Sequence, residues 1–205
     1  MKRAEPRKSE AERLVIGLSG ASGVAYGIRL LDACRELGIE SHLVMTKPAE
    51  MTIGYETKLS PKQVAAKADY NYAVQDIAAP IASGSFRNRG MIVAPCSVRT
   101  MSEIATGVTT NCLTRAADVM LKERRPLVLM VRETPLHLGH LRTMTALADV
   151  LGLSAIHVNR VLRQLRERGL VTFRDGRVSF EDHAGLVELA EFDAAYLDQT
   201  GPLLK

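Results

Sequence analysis

Leu14-Val-Ile-Gly-Leu-Ser-Gly-Ala-Ser-Gly-Val-Ala-Tyr-Gly27 runs from an apolar segment through a small-residue turn into a segment of helical character. Leu14, Val15, Ile16 and Leu18 suit a parallel strand buried on both faces. Gly17, Gly20, Ala21 and Gly23 keep the turn free of bulk, and Ser19 and Ser22 supply hydroxyls. Tyr26, Ile28, Leu30 and Leu31 continue as a helix. A turn of this kind offers backbone N–H groups and a helix N-terminus to an anion, commonly a phosphate. It is not a P-loop, because the spacing is wrong and no Lys follows. The same residues also suit a plain tight connection between strand and helix, so both readings stand at this point.

Outward from that stretch, short apolar strands alternate with helices to about residue 145. Strands are predicted at 14–19, 41–46, 90–95 and 126–131. Helices are predicted at 24–37, 60–67, from 97 to 106 and at 111–122, with a helix or loop at 48–55. Ser60 is a good N-cap for the segment it opens. Residues 69–89 read as irregular. This alternation predicts an α/β fold, a parallel sheet with helices on both faces. Ligands then lie at the carboxyl ends of the strands. Those ends carry Ser19 to Ser22, Thr46-Lys47, Cys96-Ser97 and Arg132-Glu133. Four polar ends in register on one sheet edge describe a site.

Composition bounds the function. With 205 residues, 46% of them hydrophobic, the chain can bury one full domain and a small appendage. A net charge of +4 favours anionic ligands without demonstrating nucleic-acid binding. Cys34, Cys96 and Cys112 are an odd set without CxxC spacing, so neither a disulfide framework nor a zinc site is expected. A reduced, cytoplasmic compartment fits best. No apolar run approaches the ~20 residues of a membrane span. Residues 1–12 read as a charged tail without the apolar core of a signal peptide. His137 and His140 are too few for a metal site. Lys122, Glu123, Arg124 and Arg125 also suit a solvated run at a helix end, Glu56 a surface loop, and Arg132 with Glu133 an ordinary ion pair.

Several blocks together resemble the UbiX flavin prenyltransferases. They are Gly17 to Leu31, Ala82-Ser-Gly-Ser-Phe86, Met91-Ile-Val-Ala-Pro-Cys-Ser97, Arg115-Ala-Ala-Asp-Val-Met-Leu-Lys-Glu-Arg-Arg-Pro126 and Val131 to Leu141. The resemblance covers residues 13 to about 147. It implies a flavodoxin-like fold that binds FMN, with no metal. It also implies transfer of a dimethylallyl group from dimethylallyl phosphate to reduced FMN at N5 and C6, closing an additional ring. The product would serve a partner decarboxylase, and a homo-oligomer is expected. By the same resemblance, Gly20, Ala21, Ser22, Thr46, Ser97, Val98, Arg99, Thr100 and Arg132 are the expected FMN contacts. Ser22, Glu56, Arg115, Lys122 and Glu133 are the expected catalytic and prenyl-phosphate residues. Their chemistry suits the reaction. Cations such as Arg115 and Lys122 stabilise charge developing on a departing phosphate. A carboxylate such as Glu133 can exchange a proton with it.

Beyond residue 147 the chain departs from that family. The expected last strand, the Pro-rich loop with its aromatic pair and the closing helix have no counterpart. Instead, Leu147 to Leu170 resembles the DNA-binding end of Crp/Fnr-type regulators. A short helix at 144–151 is followed by a turn and by a helix from Ser154 to Arg168. Val158, Val161, Leu162 and Leu165 mark the buried face of that second helix. A hairpin at 170–180 turns on Asp175-Gly176. The plan is that of a winged helix-turn-helix over 146–205, appended to a flavin domain at 13–145. His157, Asn159, Arg160 and Arg163 are the candidate DNA contacts, although DNA binding is the less favoured reading. An FMN-binding DNA regulator and a catalytically impaired FMN-binding fusion stand as alternatives to the transferase.

Overall fold

The computed structural model describes residues 12–133 and 135–150, and beyond them 167, 169, 171–174 and 177–180. The tail up to residue 11 lies outside this description. So do the helix expected at 154–168, the Asp175-Gly176 turn and the DNA candidates His157, Asn159, Arg160 and Arg163.

Five parallel strands form the main sheet in the order β3-β2-β1-β4-β5. They are β1 (Arg13–Leu18), β2 (Glu40–Met45), β3 (Tyr70–Tyr72), β4 (Met91–Cys96) and β5 (Leu127–Val131). Successive residues of β1 serve opposite faces, as the two-residue period of a strand requires. Val15 joins one apolar cluster, while Ile16 and Leu18 join the other. In β2, Val44 belongs to the first cluster, and Leu43 and Met45 to the second. Helices α1 (Val24–Leu37), α2 (Lys47–Glu56) and α3 (Pro61–Ala65) cover the second face through Leu31, Ile53 and Val64. Helices α4 (Val98–Thr106), α5 (Cys112–Lys122) and α6 (Leu138–Val150) cover the first through Met101, Leu113 and Leu147. The predicted parallel sheet with helices on both faces is therefore the observed one.

Three details differ from the sequence reading. β3 lies inside the stretch read as irregular. It is three residues long and mostly exposed, too short to show an alternation, and is defined by pairing with His42 to Val44. Helix α2 spans the stretch left open as helix or loop, capped by Thr46 with Pro48 in its first turn. Helix α6 begins at Leu138, earlier than the predicted 144. Packing on α4 through Met144 and Leu147 supports it where local propensity around Gly139 is poor. The boundary expected at 145 falls inside this helix, where Leu147 and Ala148 are both 5% exposed.

β6 (Val171–Arg174) pairs antiparallel with β7 (Arg177–Phe180), Arg174 opposite Arg177. This is the predicted hairpin. In the main sheet, β5 is an edge strand, and its Val128 and Met130 are exposed. No described helix is long and apolar enough to cross a membrane.

Candidate functional site

The chain runs outward from β1 through β2 to β3, then crosses back to place β4 on the other side of β1, so the strand order reverses beside β1. A crevice opens at such a reversal, outside the carboxyl ends of the strands. Ser19, at the end of β1, holds the two sides together. Its buried hydroxyl donates to the Pro95 carbonyl at 3.1 Å and accepts the Ser97 N–H at 2.7 Å. The peptide bond before Pro95 is cis. Gly20 follows against the first turn of α2, where an added Cβ would lie 2.2 Å from the Pro48 Cβ. No larger residue fits without moving that helix.

Helix N-termini converge on the crevice. Thr46 caps α2 by accepting the Ala49 N–H at 3.3 Å. Ser97 caps α4 by accepting the Thr100 N–H at 3.3 Å, and its hydroxyl lies 3.1 Å from that of Thr100. Asn111 caps α5, accepting the Thr114 N–H at 3.1 Å while the Thr114 hydroxyl accepts the Asn111 N–H. Each N-terminus carries partial positive charge. Lys47, Arg99 and Arg132 add full charges, with Lys47 held 2.7 Å from Glu50.

Two adjoining cavities share Gly20, Ser97 and Glu133. The smaller, about 290 Å³, is lined by these with Ala21, Ser22 and Arg132. The larger, about 640 Å³, adds Thr46, Lys47, Val74, Val98, Arg99, Thr100, Glu103, Thr110 and Asn111. All the expected FMN contacts therefore line one continuous crevice, together with the expected catalytic residues Ser22 and Glu133. The volumes lie in the range of small-molecule sites. Hydroxyls, cations and helix N-termini suit a phosphorylated ligand, and Pro48, Val74 and Val98 give the larger cavity apolar wall.

Glu56, Arg115 and Lys122 lie elsewhere. Glu56 ends α2, and its carboxylate accepts the Gly23 N–H at 3.0 Å and the Val24 N–H at 3.0 Å. The α1 N-terminus, read from sequence as a seat for a ligand phosphate, thus holds an anion supplied by the chain itself. Gly23 takes φ 98° there, a left-handed conformation that favours glycine. Arg115 pairs with Asp118 at 3.2 Å on α5, and Lys122 is exposed at the end of the same helix. Neither lines the two cavities.

The cysteines take no part. Burial pushes the Cys96 thiol up to about 12 and, with the Asp76 charge, the Cys112 thiol to about 11. Neither is a thiolate near neutral pH. Sequence reasoning missed Glu103, Thr110 and Asn111 as cavity residues. The only local signal was the four-residue spacing of Arg99 and Glu103, which suggests an ordinary surface pair.

Known proteins share this arrangement. A sequence family described as Flavoprotein matches residues 2–169. The flavin prenyltransferase UbiX of Escherichia coli (strain K12) is 56% identical over 140 residues, 68% of this chain and 74% of that protein. The Thauera aromatica flavin prenyltransferase UbiX is 57% identical over 133 residues, 65% of this chain and 69% of its own. The crystal structure of AnUbiX (PadA1) in complex with FMN and dimethylallyl pyrophosphate matches with a TM-score of 0.68 and 50% identity, over 69% of this chain and 75% of that one. A dodecameric FMN-dependent UbiX-like decarboxylase from Escherichia coli O157:H7 matches with a TM-score of 0.66 and 49% identity, over 67% of this chain and 75% of that one. With the strand-end crevice and these relatives in agreement, the chain belongs to the flavoprotein family, among the UbiX flavin prenyltransferases.

Proposed function

We propose that this chain is a flavin prenyltransferase that joins a dimethylallyl group from dimethylallyl phosphate to reduced FMN. The observation that carries the reading is the crevice at the strand ends. There Ser22, Ser97, Arg132 and Glu133 line a small cavity that opens onto one large enough for a flavin nucleotide. When bound, reduced FMN supplies the nucleophilic N5 and C6 positions. Thr46, Ser97, Val98, Arg99 and Thr100 hold it, with Arg132, Gly20 and Ala21 on the other side. The converging N-termini of α2, α4 and α5 favour its phosphate end in the larger cavity.

The allyl group then belongs in the smaller cavity. Its carbon–oxygen bond breaks with the electron pair going to phosphate. Arg132 stabilises the charge that develops there. Glu133 exchanges a proton with the departing phosphate oxygen, and Ser22 relays one near N5. Holding the allyl group against the flavin removes most of the entropic barrier to joining them. Arg115 and Lys122 face outward in the single chain. We assign them to the phosphate of a neighbouring copy in a homo-oligomer, a reading supported by the dodecameric relative. The product passes to a partner decarboxylase.

The β6–β7 hairpin is the described part of the winged-helix-like segment expected over 146–205. The test is anaerobic. Protein, reduced FMN and dimethylallyl phosphate are incubated, and the extracted flavin is weighed by mass spectrometry. A gain of one prenyl unit is expected. Unmodified flavin retained by the protein would replace this reading with FMN binding alone.

A further inference from the structure

We infer that Glu103 is a positioning residue for the flavin phosphate, acting through Arg99. This rests on the flavin-phosphate reading of the larger cavity. Both residues line that cavity, one turn apart on α4. The Arg99 Nε donates to Glu103 Oε1 at 2.9 Å. The Thr110 hydroxyl donates to Glu103 Oε2 at 2.8 Å, and Asn111 Nδ2 donates to that same hydroxyl at 3.2 Å. Glu103 therefore ties the first turn of α4 to the N-cap of α5 across the cavity wall.

The exposures define the roles. The Arg99 side chain is 80% exposed, while that of Glu103 is 14% exposed. A guanidinium so exposed is otherwise free to sample many rotamers, and fixing it on a ligand costs conformational entropy. Glu103 engages only its Nε. The terminal nitrogens keep the planar, forked donor pair that suits a phosphate. Both carboxylate oxygens of Glu103 are taken by donors, so its charge is directed at Arg99 and Thr110 rather than at the ligand. Binding the phosphate then uses an arm already in position.

Affinities for FMN and riboflavin, measured by flavin fluorescence titration, separate phosphate contacts from the rest of the site. The variants are Arg99→Ala, Glu103→Ala, Glu103→Gln and the double alanine. Arg99→Ala is expected to lower the preference for FMN over riboflavin about tenfold, the size of one charge-assisted contact. Glu103→Ala should lower it about threefold or more, part of the same contact. In the Arg99→Ala background it should do nothing further. Glu103→Gln keeps both contacts in outline and should restore most of the preference, which also controls for folding. Equal loss for both flavins, or a Glu103 effect that survives without Arg99, overturns the inference alone. A wild-type protein with no preference for the phosphate overturns the cavity reading and the inference with it.

Discussion

Ser19→Ala is the sharpest test of how the crevice is held together. Only the oxygen is lost, and the site is 1% exposed, so no water replaces it from the surface. The Pro95 carbonyl keeps the Ser19 backbone N–H at 3.1 Å and is not left without a partner. The Ser97 N–H loses its acceptor at 2.7 Å. Leaving a buried donor unsatisfied costs about 1–3 kcal/mol, and the lost O–H bond adds about 0.5–1.5 kcal/mol. Ser97 is partly exposed, which favours the lower half of the range, about 2 kcal/mol in all. For a chain of this size that is a fall in Tm of about 4–8 °C. Urea unfolding should show a lower midpoint at unchanged slope, since the surface exposed on unfolding is the same. FMN affinity should fall too, because the Ser97 N–H aligns the first turn of α4. A change below about 0.5 kcal/mol, the scatter of ordinary surface substitutions, would refute the reasoning.

Two further outcomes follow from the same geometry. Glu56→Ala removes the acceptor for the Gly23 and Val24 N–H groups and should destabilise by about 1–2 kcal/mol, the worth of a helix cap. An unchanged urea midpoint would mean that the carboxylate does not cap α1. The second concerns His42, which lies between Tyr72 at 2.9 Å and Glu40 at 2.9 Å and stacks on Tyr70. Burial lowers its pKa despite the Glu40 bond, and Arg13 lowers it further. The unfolded chain therefore takes up this proton first. His42 should cost no stability above about pH 6.5 and a growing amount as pH falls from there toward its folded pKa. An NMR titration placing the His42 midpoint above that of an unfolded histidine would contradict this sign.

The strands that decide the fold were legible because each carries a run of apolar residues. Val15, Ile16 and Leu18 need no partner to be recognised as buried on both faces. The strand-end hydroxyls were legible for the same reason, since each follows such a run. Tertiary contacts were not. Glu56 meets Gly23 across 33 residues of sequence, and nothing near either one signals it. β3 exists only as a partner of β2. Arg115 and Lys122 were found by family resemblance, yet the single chain leaves them outside the cavities, a matter of which surface of α5 they occupy. The widths of the two cavities depend on how α2, α4 and α5 meet, which no local pattern encodes.

Helix α6 bears on where such a chain can be divided. It extends from Leu138 to Val150, across the boundary expected at 145. Met144, Leu147 and Ala148 stand at helical spacing, and Met144 and Leu147 both pack into the cluster beneath α4. Because every residue of a helix advances the backbone by the same rise and rotation, Leu147 returns to the side that Met144 occupies. A chain cut at 145 would keep the first half of α6 and lose the Leu147 side chain from the cluster, so the interior of this helix is a poor place to divide the protein in two.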